Sequence, residues 1–128
     1  CAIADVDVAW DGTGFGLRAP FAPDGLALRT PLAGAYQARN VATALTMLDA
    51  AGPPFRPSWH DVPGALGRVQ LAGRLHRHGR YLFDVAHNPD GARHVADALA
   101  ALGAARPVHA LVTVLADKDW RGILDALG

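Results

Sequence analysis

Glutamate is absent from the chain: all twelve acidic residues are aspartate. Lysine occurs once, as Lys118, and cysteine once, as Cys1. A single cysteine excludes an internal disulfide and fits a reducing compartment, so a cytoplasmic location is expected. No apolar run approaches the roughly 20 residues needed to cross a bilayer, and no secretory leader is visible, so a membrane role is not expected. Twelve basic residues cancel the twelve acidic ones and are scattered. No broad positive field is left to hold a phosphate backbone, which argues against nucleic acid as a partner. No G-x-x-x-x-G-K-[ST] phosphate loop occurs either, because Lys118 is followed by Asp119.

What remains is 51% hydrophobic over 128 residues, enough for one modest globular domain or for pieces of two. The chain opens on Cys1 with strand-like sequence and reads as a fragment of a longer protein. From Ala4 to Trp10, Val6, Val8 and Trp10 alternate with Asp5 and Asp7, predicting a half-buried antiparallel strand. Asp11-Gly12 predicts a tight hairpin turn. The glycines of "GTGFGLR" are read as part of the hairpin and not as a dinucleotide loop, because Pro20 and Pro23 follow where a helix would have to open. A third strand near Leu26 to Leu32 completes a meander. "AYQARNVATALTMLDAAGPP" predicts a helix buried along Val41, Ala44, Leu45 and Leu48 and stopped by Gly52-Pro53-Pro54. Gln37 and Asn40, three apart, share another face near its start. A shorter helix is expected from about Ser58 to Leu66, with Ser58 as N-cap.

The character of the sequence changes near residue 70, where a domain boundary is placed: 1–70 before it and 71–128 after it. "RYLFDVA" and "PVHALVTVL" are dense apolar segments separated by a helical stretch, which predicts a βαβ crossover in a parallel sheet and an α/β fold. The intervening helix is legible from its ends: Asn88 as N-cap, Pro89 at the first position, Asp90 at the positive dipole end and Gly103 beyond the last turn. Its expected buried stripe is Val95, Leu99 and Leu102.

That frame puts Asp84, His87 and Asn88 at the carboxyl edge of a strand, where ligands bind in open α/β sheets. Capping accounts for Asn88. Asp84 either pairs with a neighbour such as Arg80 or serves a site, and a charge on an apolar strand favours the second. In "AGRLHRHGR", Arg74, His76 and His78 are expected on one strand face, and Arg74 has the planar fork to hold a phosphate. His76, His78 and Asp84 would make a three-ligand set like an open catalytic zinc site, the basis of an alternative reading as a metal hydrolase. His109 is expected in the core or a crevice. In "ADKDWRGIL" Asp117, Lys118 and Asp119 precede a helix striped by Trp120, Ile123, Leu124 and Leu127. Asp117 or Asp119 would cap it, and Asp117 and Lys118 are possible cleft residues.

In order, "GAYQARNVATAL", the short helix before Gly67-Arg68, "AGRLHRHGRYLFDVAHNP" and "VTVLADKD" resemble the folylpolyglutamate and dihydrofolate synthases of the Mur ligase superfamily. The D-x-A-H-N-P element is the most specific part. The resemblance implies that residues up to about 70 are the end of a central ATPase domain and that the rest begins a Rossmann-like C-terminal domain. It further implies an ATP- and Mg²⁺-dependent ligase of folate metabolism, joining L-glutamate to dihydropteroate or folate through an acyl phosphate, monomeric when full length. By position, Asn40 resembles the family's adenine-side asparagine, Arg74 its nucleotide-contacting arginine, Asp84 the acid that helps hold the nucleotide, and His87 the histidine beside that site, taken as catalytic. Ala72 and Tyr36 depart from the family's proline and histidine. With no phosphate loop and no glutamate as magnesium ligand, the main ATP and Mg²⁺ contacts are expected outside this segment, and the segment alone is expected to be inactive. A nucleotide-binding module without catalysis is the other alternative.

Overall fold

A computed structural model describes residues 1–128, which form two compact units, Cys1–Leu71 and Ala72–Gly128. In the first, β1 (Ala2–Ala9), β2 (Gly12–Ala19) and β3 (Ala22–Thr30) make an antiparallel meander in the order β1-β2-β3, followed by helices α1 (Tyr36–Ala51) and α2 (Val62–Leu66). "GTGFGLR" is therefore strand, as its context predicts. β2 buries Thr13, Phe15, Leu17 and Ala19 in strict alternation, the signature of one face turned to a core. Phe15, Leu17 and Leu28 meet Ala38, Ala42 and Leu45 of α1 and Val62 of α2, and Phe21 stacks on Trp59 at 4.3 Å.

Several local expectations shift. β1 is an exposed edge: its ladder slips between Ala4 and Asp7, Asp5 takes a left-handed φ of 53°, and Val6 is 43% exposed. The slip breaks the alternation that would have made Val6, Val8 and Trp10 a core face. Ala9 pairs with Gly12, so the hairpin loop is Trp10-Asp11. A Cβ on Gly12 would collide with the Thr30 carbonyl oxygen, which is why glycine opens the next strand. In α1 the buried set is Gln37, Ala38, Ala42 and Leu45, rotated from the predicted stripe; Ala44 and Leu48 are exposed. Two alanines give the sheet a close approach that the bulkier stripe would not. α2 starts at Val62 with Asp61 as N-cap, and Ser58 contributes only its carbonyl, which accepts the Asp61 N–H.

The start of α1 has no side-chain cap of its own. Thr13, fully buried in β2, instead fixes the loop before it: its Oγ1 donates to Leu32 O at 2.9 Å and Gly34 O at 3.1 Å, and Gly34 O accepts the Gln37 N–H at 2.9 Å. One hydroxyl thus ties the central strand to the loop that aims α1.

The second unit holds β4 (His76–His78) and β5 (Tyr81–Phe83), an antiparallel hairpin, and helices α3 (Pro89–Ala101) and α4 (Trp120–Leu127), which pack on each other. Asn88 caps α3 by accepting the Gly91 N–H at 2.7 Å, and Gly103 has φ 61° just past its end. Ala92 and Ala98 are its fully buried residues, with Val95, Leu99 and Leu102 half-buried. The predicted parallel pairing is not formed. Residues 107–115 join no ladder, Leu111 is fully exposed, and His109 is exposed where a core or crevice place was expected. A strand is held by its neighbours' N–H and C=O groups, and β5 pairs only with β4. Replacing Thr13 by Val keeps the shape but removes the hydroxyl that Leu32 O and Gly34 O accept from; the first unit should lose about 1–3 kcal/mol in denaturant unfolding followed by tryptophan fluorescence, and Thr13→Ser should lose less.

Candidate functional site

Asp84 follows β5 directly, and both of its carboxylate oxygens accept backbone amides. Oδ2 takes Leu75 N–H at 2.9 Å and Oδ1 takes Ala86 N–H at 2.8 Å. Between them, Val85 N–H donates to Gly73 O at 2.9 Å. The segment 73–75 is thereby sewn to 84–86. The closeness needs glycine: Gly73 has φ 72°, and a Cβ there would lie 2.6 Å from Val85 Cγ1. Asp84 does not pair with Arg80, whose guanidinium lies over the Tyr81 ring.

Leu75 is buried and left-handed, with φ 45°, so the strand begins after it. Arg74 accordingly does not share a strand face with His76 and His78; it sits on the sewn loop, half-buried, with its guanidinium in no hydrogen bond or ion pair. His76 and His78 are exposed, and no group of three His, Cys, Asp or Glu side chains comes together to hold a metal. The zinc set of His76, His78 and Asp84 is not assembled. His87 is exposed, and its Nδ1 lies 3.1 Å from Val85 O. A carbonyl can only accept, so this contact puts a proton on Nδ1 and leaves Nε2 facing away from it.

α3 and α4 start side by side, since a Cβ on Gly122 would lie 2.8 Å from Pro89 Cγ. The loop before α4 therefore reaches the same end of the unit as His87 and Asn88. Asp119 caps α4 through Gly122 N–H at 2.9 Å, and Lys118 Nζ lies 3.6 Å from Asp117. In the first unit Asn40 is exposed, and its Nδ2 donates to Gln37 Oε1 at 3.1 Å. Gln37 is a residue that sequence reasoning left on a solvent face; its spacing of three from Asn40 was the available signal, and its burial was not. A separate depression of about 750 Å³ in the first unit, lined by Asp7, Asp11, Phe15, Arg29 and Pro63, contains none of these residues.

No protein-family model matches the chain. Curated relatives include the dihydrofolate synthase/folylpolyglutamate synthase of Mycobacterium tuberculosis, 37% identical over 103 residues, covering 76% of this chain and 21% of that protein. Another is the UDP-N-acetylmuramoyl-L-alanyl-D-glutamate–2,6-diaminopimelate ligase of Caulobacter vibrioides, 41% identical over 75 residues, covering 56% of this chain and 15% of that protein. Among solved structures, Mycobacterium tuberculosis folylpolyglutamate synthase complexed with ADP superposes with a TM-score of 0.75 at 29% identity over 98% of this chain. The chain is a homologue of the Mur ligase superfamily. MurF from Acinetobacter baumannii, at 24% identity and TM-score 0.62, shares the fold. The α/β class follows from the same neighbours. The matched segment spans between 15% and 22% of the curated ligases' length, and 28% of the synthase chain.

Within this Mur ligase homologue the Asp84 carboxylate is first a fold element, tying two backbone segments together. Two hydrogen bonds to a charged acceptor stabilise by about 1.5–3 kcal/mol each when sheltered. Asp84→Ala should raise amide exchange at Leu75 and Ala86 at least about tenfold, with Asp84→Asn in between; unchanged protection at both amides would contradict the assignment. Asn88→Ala should cost about 0.5–2 kcal/mol, read as fraying of α3 in the same experiment.

Proposed function

We propose that this chain is a nucleotide-binding segment of an ATP-dependent ligase that adds L-glutamate to dihydropteroate or folates. The reading rests on one observation above others: nearly the whole chain superposes on a synthase whose structure holds ADP. ATP, when bound, supplies the phosphoryl group that activates a carboxylate toward the amine.

The chain's own residues fit parts of that task. Arg74 offers an unpaired planar fork on a loop fixed from both sides, suited to phosphate oxygens. Asp84 would repel a polyphosphate, so its place is beside sugar hydroxyls, or as the anchor that holds Arg74 and His87 where the nucleotide needs them. His87, with Nε2 facing away from Val85 O, would meet a hydroxyl or a protonated group near the transferring phosphoryl. Asn40 meets the base, and Lys118 and Asp117 lie on the loop beside the α3 start. No three ligating side chains gather here, the main Mg²⁺ ligands belong on this reading to other parts of the polypeptide, and no step is assigned to the ion in this segment. Such a ligase works in the cytoplasm as a monomer on small-molecule substrates, with its phosphate loop elsewhere in the polypeptide.

The higher identity to the diaminopimelate ligase over the shorter segment favours a second reading of the substrate, in which the acceptor is a UDP-muramoyl peptide. Assay of the ligase containing this segment separates them: glutamate-dependent ADP release with dihydropteroate or folate supports the first, and release only with the muramoyl peptide and 2,6-diaminopimelate supports the second. In that enzyme Arg74→Ala should raise the KM for ATP at least about tenfold, the loss of a charge-assisted phosphate contact. An unchanged KM would remove Arg74 from the nucleotide site. Calorimetry of the 128-residue chain decides the module alternative: micromolar ATP affinity without a phosphate loop would favour a stand-alone binding module.

A further inference from the structure

Gln37 is 3% exposed, and its amide is only half satisfied: Oε1 accepts from Asn40 Nδ2 at 3.1 Å, while Nε2 is buried with no partner. A buried donor without an acceptor is destabilising, and an apolar side chain of similar shape would remove that cost. What glutamine alone provides at this position is an acceptor for Asn40. Asn40 lies one turn further along α1 and is exposed. With one Nδ2 hydrogen engaged by Gln37, the amide is held in one orientation, and Oδ1 is the acceptor it leaves to meet a ligand.

We infer that Gln37 is a positioning residue that sets base selectivity. By holding the Asn40 amide in one of its two orientations, it presents a carbonyl oxygen to the exocyclic amine of an adenine-type base. A 6-oxo purine would place carbonyl against carbonyl and leave both unpaired, which is how a site built around a hydrogen bond rejects a near-isostere. The inference rests on the reading that Asn40 meets the base.

The test is a titration of the ¹⁵N-labelled ligase containing this segment with ADP and, separately, with IDP, following the Asn40 side-chain amide and the backbone amides of residues 36–44. ADP should bind at least about tenfold more tightly than IDP. Gln37→Met should bring the two affinities within about threefold of each other, with a Tm equal to or above that of the parent because the orphaned donor is gone. Gln37→Asn, one methylene shorter, guards against a folding failure of the first variant and should also lose the preference. No response of these amides to either nucleotide removes the base-binding reading of Asn40, and the inference with it. Binding with the same ADP preference in parent and Gln37→Met overturns the inference alone, and so does a preference for IDP, which would mean that the amide pair is held the other way round.

Discussion

Both oxygens of Asp84 hold backbone N–H groups from different segments, and the turn that carries Arg74 is fixed by that pair of hydrogen bonds. Together with the Val85 N–H bond to Gly73 O they offset the conformations of a left-handed Leu75 and a tight Gly73. The hairpin between them has only three residues in each strand. Pairs of strands that short do not hold themselves together in water. A charged acceptor saturated by two amides makes the turn rigid while leaving the arginine beside it unpaired, which is the combination a phosphate-holding loop requires.

A comparable economy governs the first unit. The Thr13 hydroxyl, buried under the sheet, orients the loop that starts α1, and α1 carries Gln37 and Asn40 in its first turns. In both units a side chain that bonds the backbone fixes the segment beside the candidate residues. Folate-type and muramoyl-type relatives both match this stretch of sequence.

Local chemistry was the legible part of the sequence. The α3 caps were readable because Asn88, Pro89 and Gly103 act on groups one turn away, and the meander was readable because β2 alternates without interruption. The phase of α1 was not, since alanines at 38 and 42 carry almost no hydrophobic signal yet decide how closely the helix approaches the sheet. Nor was the role of Asp84, because its partners are backbone amides, which have no letter in a sequence. Residues 107–115 show the reverse problem: apolar density announces a strand, but a strand also needs a neighbour, and Leu111 stands fully exposed without one.

The central proposal is that each unit carries a nucleotide-contacting stretch, the first turns of α1 in one and the loop held by Asp84 in the other. Hydrogen exchange on the ligase containing this segment, with and without saturating ADP, tests it most directly. Slowed exchange in residues 36–44 and in 73–88 together is the result this account requires. Protection confined to other parts of the polypeptide, with both stretches exchanging at their ligand-free rates, would contradict it.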